Sequence, residues 1–169
     1  LRAHLQRCGM TWMKRIFSGV QPSGQLHLGN YLGAIRNWVA MQEEGKKVNA
    51  SNLSLLFSIV DLHAITVPQE PKKLHDSILS TAAALLSCGL SPDHCTMYVQ
   101  SAVREHAHLS WILACQTPMG WLNRMTQFKD KSKGSGDRSG LGLYSYPVLM
   151  SADILLYQYV SANFPSPDV

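Results

Sequence analysis

The sequence predicts an α/β fold, a parallel sheet with helices packed on both faces. Three observations carry this. Short apolar runs of strand character recur at 16–21, 53–60 and 96–100. Between them stand stretches of helical periodicity, long enough for the crossover that joins one parallel strand to the next. The chain has 169 residues, 46% of them hydrophobic and 15% charged, which suffices to bury such a sheet.

The elements follow in order. IFSGVQ at 16–21 reads as a strand that enters a turn at Pro22-Ser23-Gly24. From Gly29 to Glu44 the pattern is helical, with Leu28, Leu32, Ile35 and Val39 on one stripe and Tyr31 and Trp38 beside it. The polar stretch Gly45 to Asn52, with Lys46 and Lys47, reads as a loop. LSLLFSIV at 53–60 is a buried strand ending at Asp61. A helix from Pro71 to Cys88 turns Leu74, Ile78, Ala82, Leu85 and Leu86 inward, and Gly89 and Pro92 stop it. TMYVQ at 96–100 is the third strand. Helices at 105–115 and 119–129 divide near Pro118. Residues 132–142, SKGSGDRSGLG, read as a mobile loop, 148–160 as an apolar helix, and SANFPSPDV as no recognisable element. Such a sheet is Rossmann-like, and its ligands bind beyond the carboxyl ends of the strands.

Composition excludes several classes. No apolar run reaches the roughly 18 residues of a membrane-spanning helix. Cys8, Cys88, Cys95 and Cys115 show no Cys-x-x-Cys spacing, so neither a structural zinc nor a disulfide scaffold is expected. A net charge of +4 permits a nucleic-acid partner without arguing for one. Residues 1–42 hold Arg2, Arg7, Lys14, Arg15 and Arg36 and no acid before Glu43. The first fifteen, LRAHLQRCGMTWMKR, have the composition of an organellar transit remnant, or of an ordinary basic N-terminus.

Four places can carry chemistry. After the first strand, Ser18-Gly19-Val20-Gln21-Pro22-Ser23-Gly24 leads into His27-Leu28-Gly29-Asn30. Glycines admit a bulky ligand, helix N-terminal amides suit phosphate, and an imidazole can donate to a phosphate oxygen; a structural turn fits equally. After the second strand, Asp61 and His63 suit a ligand site, or else a helix cap and a packed imidazole. Asp153 stands within the nearly all-apolar PVLMSADILLY. A carboxylate there costs several kcal/mol, roughly, unless a ligand donor or a neighbouring backbone amide hydrogen-bonds it. Arg124, Lys129, Lys131 and Lys133 precede the glycine-rich loop, as a solvated helix end or as a triphosphate-neutralising segment.

Four stretches in order, IFSGVQPSGQLHLGNYLGAI, SIVDLHAITVPQEP, RMTQFKDKS and YPVLMSADILLY, resemble the tryptophanyl-tRNA synthetases of the bacterial or mitochondrial type. The resemblance covers about residues 14–158. It implies the N-terminal part (16–158) of a class I synthetase catalytic domain, a Rossmann-like sheet of the HUP type, after a transit remnant at 1–15. The class signature His-x-Gly-His stands here as His27-Leu28-Gly29-Asn30. The reaction implied is attack of the tryptophan carboxylate on the α-phosphorus of ATP, with magnesium accompanying the nucleotide, then transfer of the tryptophanyl group to tRNA(Trp). Both steps depend on positioning and fixed donors rather than on a protein nucleophile. By match, Gln21, Pro22, Ser23, Gly29 and Asn30 line the ATP site. His27, with Asn30, Lys129 and Lys131, serves the phosphates during catalysis. Asp153 accepts the indole N–H, and Phe17, Gly19, His63 and Met150 line the tryptophan pocket. No resident metal is implied. A homodimer is implied for the complete enzyme, and the mitochondrial matrix, or alternatively the cytoplasm, as its location.

Three departures bear on activity. No Lys-Met-Ser-Lys-Ser run and no Gly-Glu-Asp-Gln strand occur in the sequence, and no anticodon-recognising helical domain follows. Residues 159–169 diverge, so the chain reads as a C-terminally truncated member with an incomplete sheet and impaired activity. The loop around Val48–Leu53 is also longer than the bacterial form. Two alternatives compete: a related tyrosyl-type synthetase, and a non-catalytic fragment that retains substrate binding or dimerisation.

Overall fold

A computed structural model of the chain describes residues 14–22, 26–47, 53–124, 140–157 and 161–162. Four strands, β1 (Lys14–Val20), β2 (Leu53–Ile59), β3 (Thr96–Val99) and β4 (Ser161–Ala162), lie in the order β3-β2-β1-β4. Every neighbouring pair is parallel. The helices are α1 (Leu28–Asn30), α2 (Arg36–Lys47), α3 (Asp61–Ala64), α4 (Pro71–Ser87), α5 (Glu105–Gln116), α6 (Met119–Leu122) and α7 (Leu141–Leu156). A π-helical turn, Tyr31–Ile35, joins α1 to α2.

Register sorts the side chains into two layers. Ile16 lies opposite Leu55 and Val20 opposite Ile59, and partners in a parallel pair share a face. With Phe57 they form the core face, which Trp38 of α2 and Leu85 of α4 cover. Trp38 stacks on Phe57 with ring centroids 4.6 Å apart. Each such fully buried large side chain contributes about 1.5–3 kcal/mol. The other face presents Phe17, Gly19, Ser58 and Tyr98 in neighbouring register positions. There α5 and α7 close over the sheet: Phe17 stacks on Tyr157 at 5.2 Å and lies 6.4 Å from the His106 ring.

Gln42 ties α2 to the turn after α4. Its amide donates to the Gly89 carbonyl (3.1 Å) and accepts from the Ser91 N–H (2.8 Å). That turn is a Schellman closure: the Leu90 N–H reaches the Leu85 carbonyl and the Gly89 N–H the Leu86 carbonyl. Gly89 sits at φ +106°, a conformation that side chains disfavour. The expectation that Gly89 ends this helix holds.

Other expectations need correction. Half of the stripe Leu28-Leu32-Ile35-Val39 holds: Ile35 is buried and Val39 packs on the core, but Leu28 and Leu32 are exposed, and Ala34, Trp38 and Gln42 are buried beside Ile35. The π turn inserts an extra residue per turn and rotates the upstream side chains away from the sheet. Leu86 is likewise exposed; its neighbour Leu85 takes the inward position, with Thr81 one turn before it. The last apolar helix begins at Leu141, not at 148. Pro147 lies inside it, and glycines precede it; both hid the start. Residues 161–162 form the edge strand β4 against Ile16 and Phe17. The tail therefore holds one element where none was expected. Residues 1–13 and the loop 48–52 lie outside the described residues.

Gly19 fits where nothing larger does. A Cβ there would stand 2.8 Å from Val60 Cγ1 and 3.5 Å from the Ser58 carbonyl oxygen. Val60 is itself buried. Gly19→Ala is expected to lower stability by about 1–3 kcal/mol through overpacking, read as an earlier urea midpoint with an unchanged slope. A wild-type midpoint would contradict it.

Candidate functional site

The strands end together, and the candidate residues follow them. After β1, Gln21 is exposed and Pro22 buried. The turn then closes on itself: the His27 N–H donates to Asn30 Oδ1 (3.0 Å) while the Asn30 N–H donates to the His27 carbonyl (3.0 Å). Asn30 thereby fixes the entry into α1 and leaves the His27 ring exposed to solvent. Gly29 is half-buried. After β2, Asp61 resolves as a structural group. Its Oδ1 accepts the N–H of Leu62 (3.0 Å) and of Ser101 (2.9 Å), tying the end of β2 to the turn after β3.

The centre of the arrangement is Asp153. Its side chain has no exposure to solvent. Among the described residues no backbone amide satisfies it; three side chains do. His63 Nε2 lies 2.8 Å from Oδ2, His106 Nδ1 lies 2.6 Å from Oδ1, and Gln100 Nε2 donates to Oδ1 at 2.8 Å. Gln100 Nε2 must face the carboxylate, since the amide oxygen would be repelled. That orientation leaves Gln100 Oε1 buried without a hydrogen-bond partner among the described residues. Burial pushes the Asp153 carboxyl up, but the hydrogen bonds from His106, His63 and Gln100 outweigh it and hold the group below the ordinary carboxylate range. Asp153 is thus an anion at neutral pH inside an apolar helix. A carboxylate offers about four acceptor positions. Oδ1 uses two and Oδ2 one, so among the described residues one acceptor position on Oδ2 is unfilled.

Behind His106 stand two phenols. Tyr157 OH is 2.8 Å from His106 Nε2, and Tyr98 OH donates to Tyr157 OH at 2.7 Å. Burial pushes the Tyr98 phenol far up, aided by its contact with Tyr157, and burial raises Tyr157 as well. Both remain protonated donors. Tyr157 is held from β1 twice: Phe17 stacks on its ring, and Arg15 Nη1 donates to its carbonyl at 3.0 Å. Tyr146 of α7 presents its ring edge-on to His63, with centroids 6.4 Å apart.

These contacts unite Asp153 and His63 directly, and Phe17 through His106 and Tyr157. Gly19 lies two positions along β1 from Phe17 on the same face. Met150 is half-buried one helical turn before Asp153. Gln21, Pro22, His27, Gly29 and Asn30 sit at the same end of the sheet, but Asp153's hydrogen-bond partners among the described residues are His63, Gln100 and His106. Ser23, Lys129 and Lys131 lie outside the described residues. The sequence reading missed Gln100, His106, Tyr98, Tyr157 and Tyr146. Gln100 was within reach of the strand-end rule, since it directly follows β3. His106 opens an ordinary helix and carries no local signal.

A cavity of about 540 Å³ lies elsewhere, between α3, α5, α6 and α7. It is lined by Leu62, Thr66, Trp111 and Tyr144 among others, and Asp153 does not reach it.

A carboxylate, two imidazoles and an amide gathered where parallel strands end define a ligand-binding α/β domain of the Rossmann-like type. The family described as tRNA synthetases class I (W and Y) matches residues 13–162, and the chain belongs to that family. It is similar to the tryptophan–tRNA ligases of Rickettsia felis (54% identity over 145 residues, 86% of this chain and 42% of the relative) and Prochlorococcus marinus (55% over 143 residues, 85% and 40%). Among solved structures it resembles the Campylobacter jejuni tryptophanyl-tRNA synthetase complexed with ADP and tryptophan. That match has a TM-score of 0.77 at 42% identity and covers 88% of this chain and 44% of that one. An Archaeoglobus fulgidus tyrosyl-tRNA synthetase shares the fold, with a TM-score of 0.68 at 15% identity. The chain thus spans about two fifths of the length of the curated relatives it matches.

Proposed function

We propose that this chain carries the tryptophan-recognising part of a tryptophan–tRNA ligase. That enzyme activates L-tryptophan with ATP to tryptophanyl-adenylate and passes it to tRNA(Trp). The observation that carries the reading is Asp153, a buried anion in an apolar helix with one acceptor position open. An indole N–H is a neutral, flat donor on a large apolar body, which suits such an acceptor. Tyrosine places its donor elsewhere and would leave the position unfilled. Phe17, Gly19, His63 and Met150 form the surrounding wall.

In this reading ATP, with its magnesium ion, binds along Gln21, Pro22, Ser23, Gly29 and Asn30. His27, Lys129 and Lys131 serve the phosphates. The closed turn between His27 and Asn30 supports this by leaving the His27 imidazole free to face a ligand. Residues 16–158 would be the N-terminal part of the catalytic domain. Exposed Trp111, Met119, Trp121 and Leu141 supply apolar surface for a homodimer. The acid-free first fifteen residues support a mitochondrial destination; the relatives named above are bacterial.

Equilibrium dialysis of the chain with labelled tryptophan, with tyrosine as competitor, tests the reading. Tryptophan is expected to bind and to resist a hundredfold excess of tyrosine, on the order of the discrimination one well-placed polar contact provides. Displacement by tyrosine at equal concentration would favour the tyrosyl alternative.

A further inference from the structure

The hydrogen bonds behind Asp153 can be ordered in one direction. Tyr98 O–H donates to Tyr157, and both phenols remain protonated. The Tyr157 proton is then free to point at His106 Nε2, 2.8 Å away. A neutral imidazole that accepts at Nε2 carries its proton on Nδ1. Nδ1 faces Asp153 Oδ1 at 2.6 Å, where only a donor is tolerated. The four groups satisfy one another in a single sequence, Tyr98 to Tyr157 to His106 to Asp153.

The sequence is also mechanically anchored. His106 has no exposure to solvent, and Phe17 packs against both His106 and Tyr157. Arg15 holds the Tyr157 carbonyl at the end of α7. Gln100 fills the second position on Oδ1. With Oδ1 committed to Gln100 and His106, the carboxylate cannot rotate without breaking two bonds. Its only open position stays on Oδ2, beside His63.

We infer that His106, locked in its Nδ1–H form by the Tyr98–Tyr157 pair, is a positioning residue that fixes Asp153 so that Oδ2 presents one acceptor position to a ligand N–H. This rests on the tryptophan reading for the identity of the ligand. The geometry of the relay does not depend on that identity. The relay would act on selectivity rather than on general affinity, because the apolar wall binds any aromatic body of the right size. Only a ligand with an N–H at the right place gains from a fixed acceptor.

The test has two arms. First, isotope-labelled histidine nitrogen NMR reads the tautomer of His106, assigned by the signal lost in His106→Gln. An Nδ1–H, Nε2-accepting form is expected in the wild type. Loss of that form is expected in the Tyr98→Phe/Tyr157→Phe double variant, which keeps both rings. An Nε2–H form in the wild type would overturn the inference. Second, the wild type and the double variant are compared for tryptophan and for benzothienylalanine, in which sulfur replaces the indole N–H. The variant is expected to lose roughly tenfold in affinity for tryptophan, the scale of one hydrogen bond to a charged group, and none for the sulfur analogue. Equal losses for both ligands would mean that the tyrosines merely hold the fold, and would overturn the inference. A folded wild type that binds neither ligand would overturn the tryptophan reading, while the histidine spectra still decide the relay.

Discussion

Replacing Asp153 by alanine is expected to weaken tryptophan binding roughly ten- to hundredfold and to destabilise the chain. The two effects have separate causes. Binding weakens because the acceptor proposed for the indole N–H is gone; a hydrogen bond to a charged group contributes about 1.5–3 kcal/mol, or roughly ten- to hundredfold in affinity. Stability falls because His63, His106 and Gln100 lose the carboxylate that they donate to in the interior. Each buried donor left without its acceptor costs about 1–3 kcal/mol, a large share of a typical domain's 5–15 kcal/mol. Asp153→Asn separates the causes. It keeps volume and one acceptor oxygen, so it is expected to fold, yet its amide donors cannot all avoid the indole N–H. Dialysis and thermal melts on both variants read the result. The pH dependence supplies a further signature. The folded carboxyl titrates below its ordinary value, so its stabilisation is complete above about pH 4 and is lost as the pH falls through the folded value. The stability gap between wild type and Asp153→Asn is therefore expected to narrow on acidification. A gap independent of pH would contradict the description of Asp153 as an anion.

The second large effect concerns chemistry. The 169-residue chain is expected to support ATP–pyrophosphate exchange with tryptophan at least about a hundredfold more slowly than a full-length relative assayed beside it. The reason is a donor that the resemblance implies for the transition state and that these 169 residues do not contain. No Lys-Met-Ser-Lys-Ser run occurs in the sequence, and removing one fixed donor from a charge-developing transition state costs about 2.7–4 kcal/mol. Tryptophan binding would persist, since Asp153 and its neighbours lie within the described residues. Binding without exchange is therefore the expected pattern. Exchange within tenfold of the relative's rate would show that the residues present suffice for activation.

Much of the fold was legible because its signals are local. Strand runs of branched and aromatic residues, the glycine at 89 and the crossover spacing all act over a few positions. Where the reading slipped, the cause was a distortion that no residue announces. The π turn at Tyr31–Ile35 moved Leu28 and Leu32 to the surface, and Pro147 disguised the first half of α7 as a loop. The site divides the same way. Asp153 stood out because a carboxylate in an apolar run has an energetic cost that must be offset somewhere. What offsets it was hidden, because His63, Gln100 and His106 come from segments 90, 53 and 47 residues away. Asp61, conspicuous in sequence, proved to be a backbone tie between two strand ends. Composition and spacing marked the charge; only the fold identified its partners.

Asp153 Oδ2 is the proposed acceptor for an indole N–H. The most direct measurement is a crystal structure of the chain soaked with tryptophan. The account predicts the indole nitrogen within hydrogen-bond distance of Oδ2, with Gln100 and His106 still on Oδ1. Tryptophan seated in the apolar cavity beside Trp111, or in the strand-end site with its indole nitrogen turned away from Asp153, would contradict it.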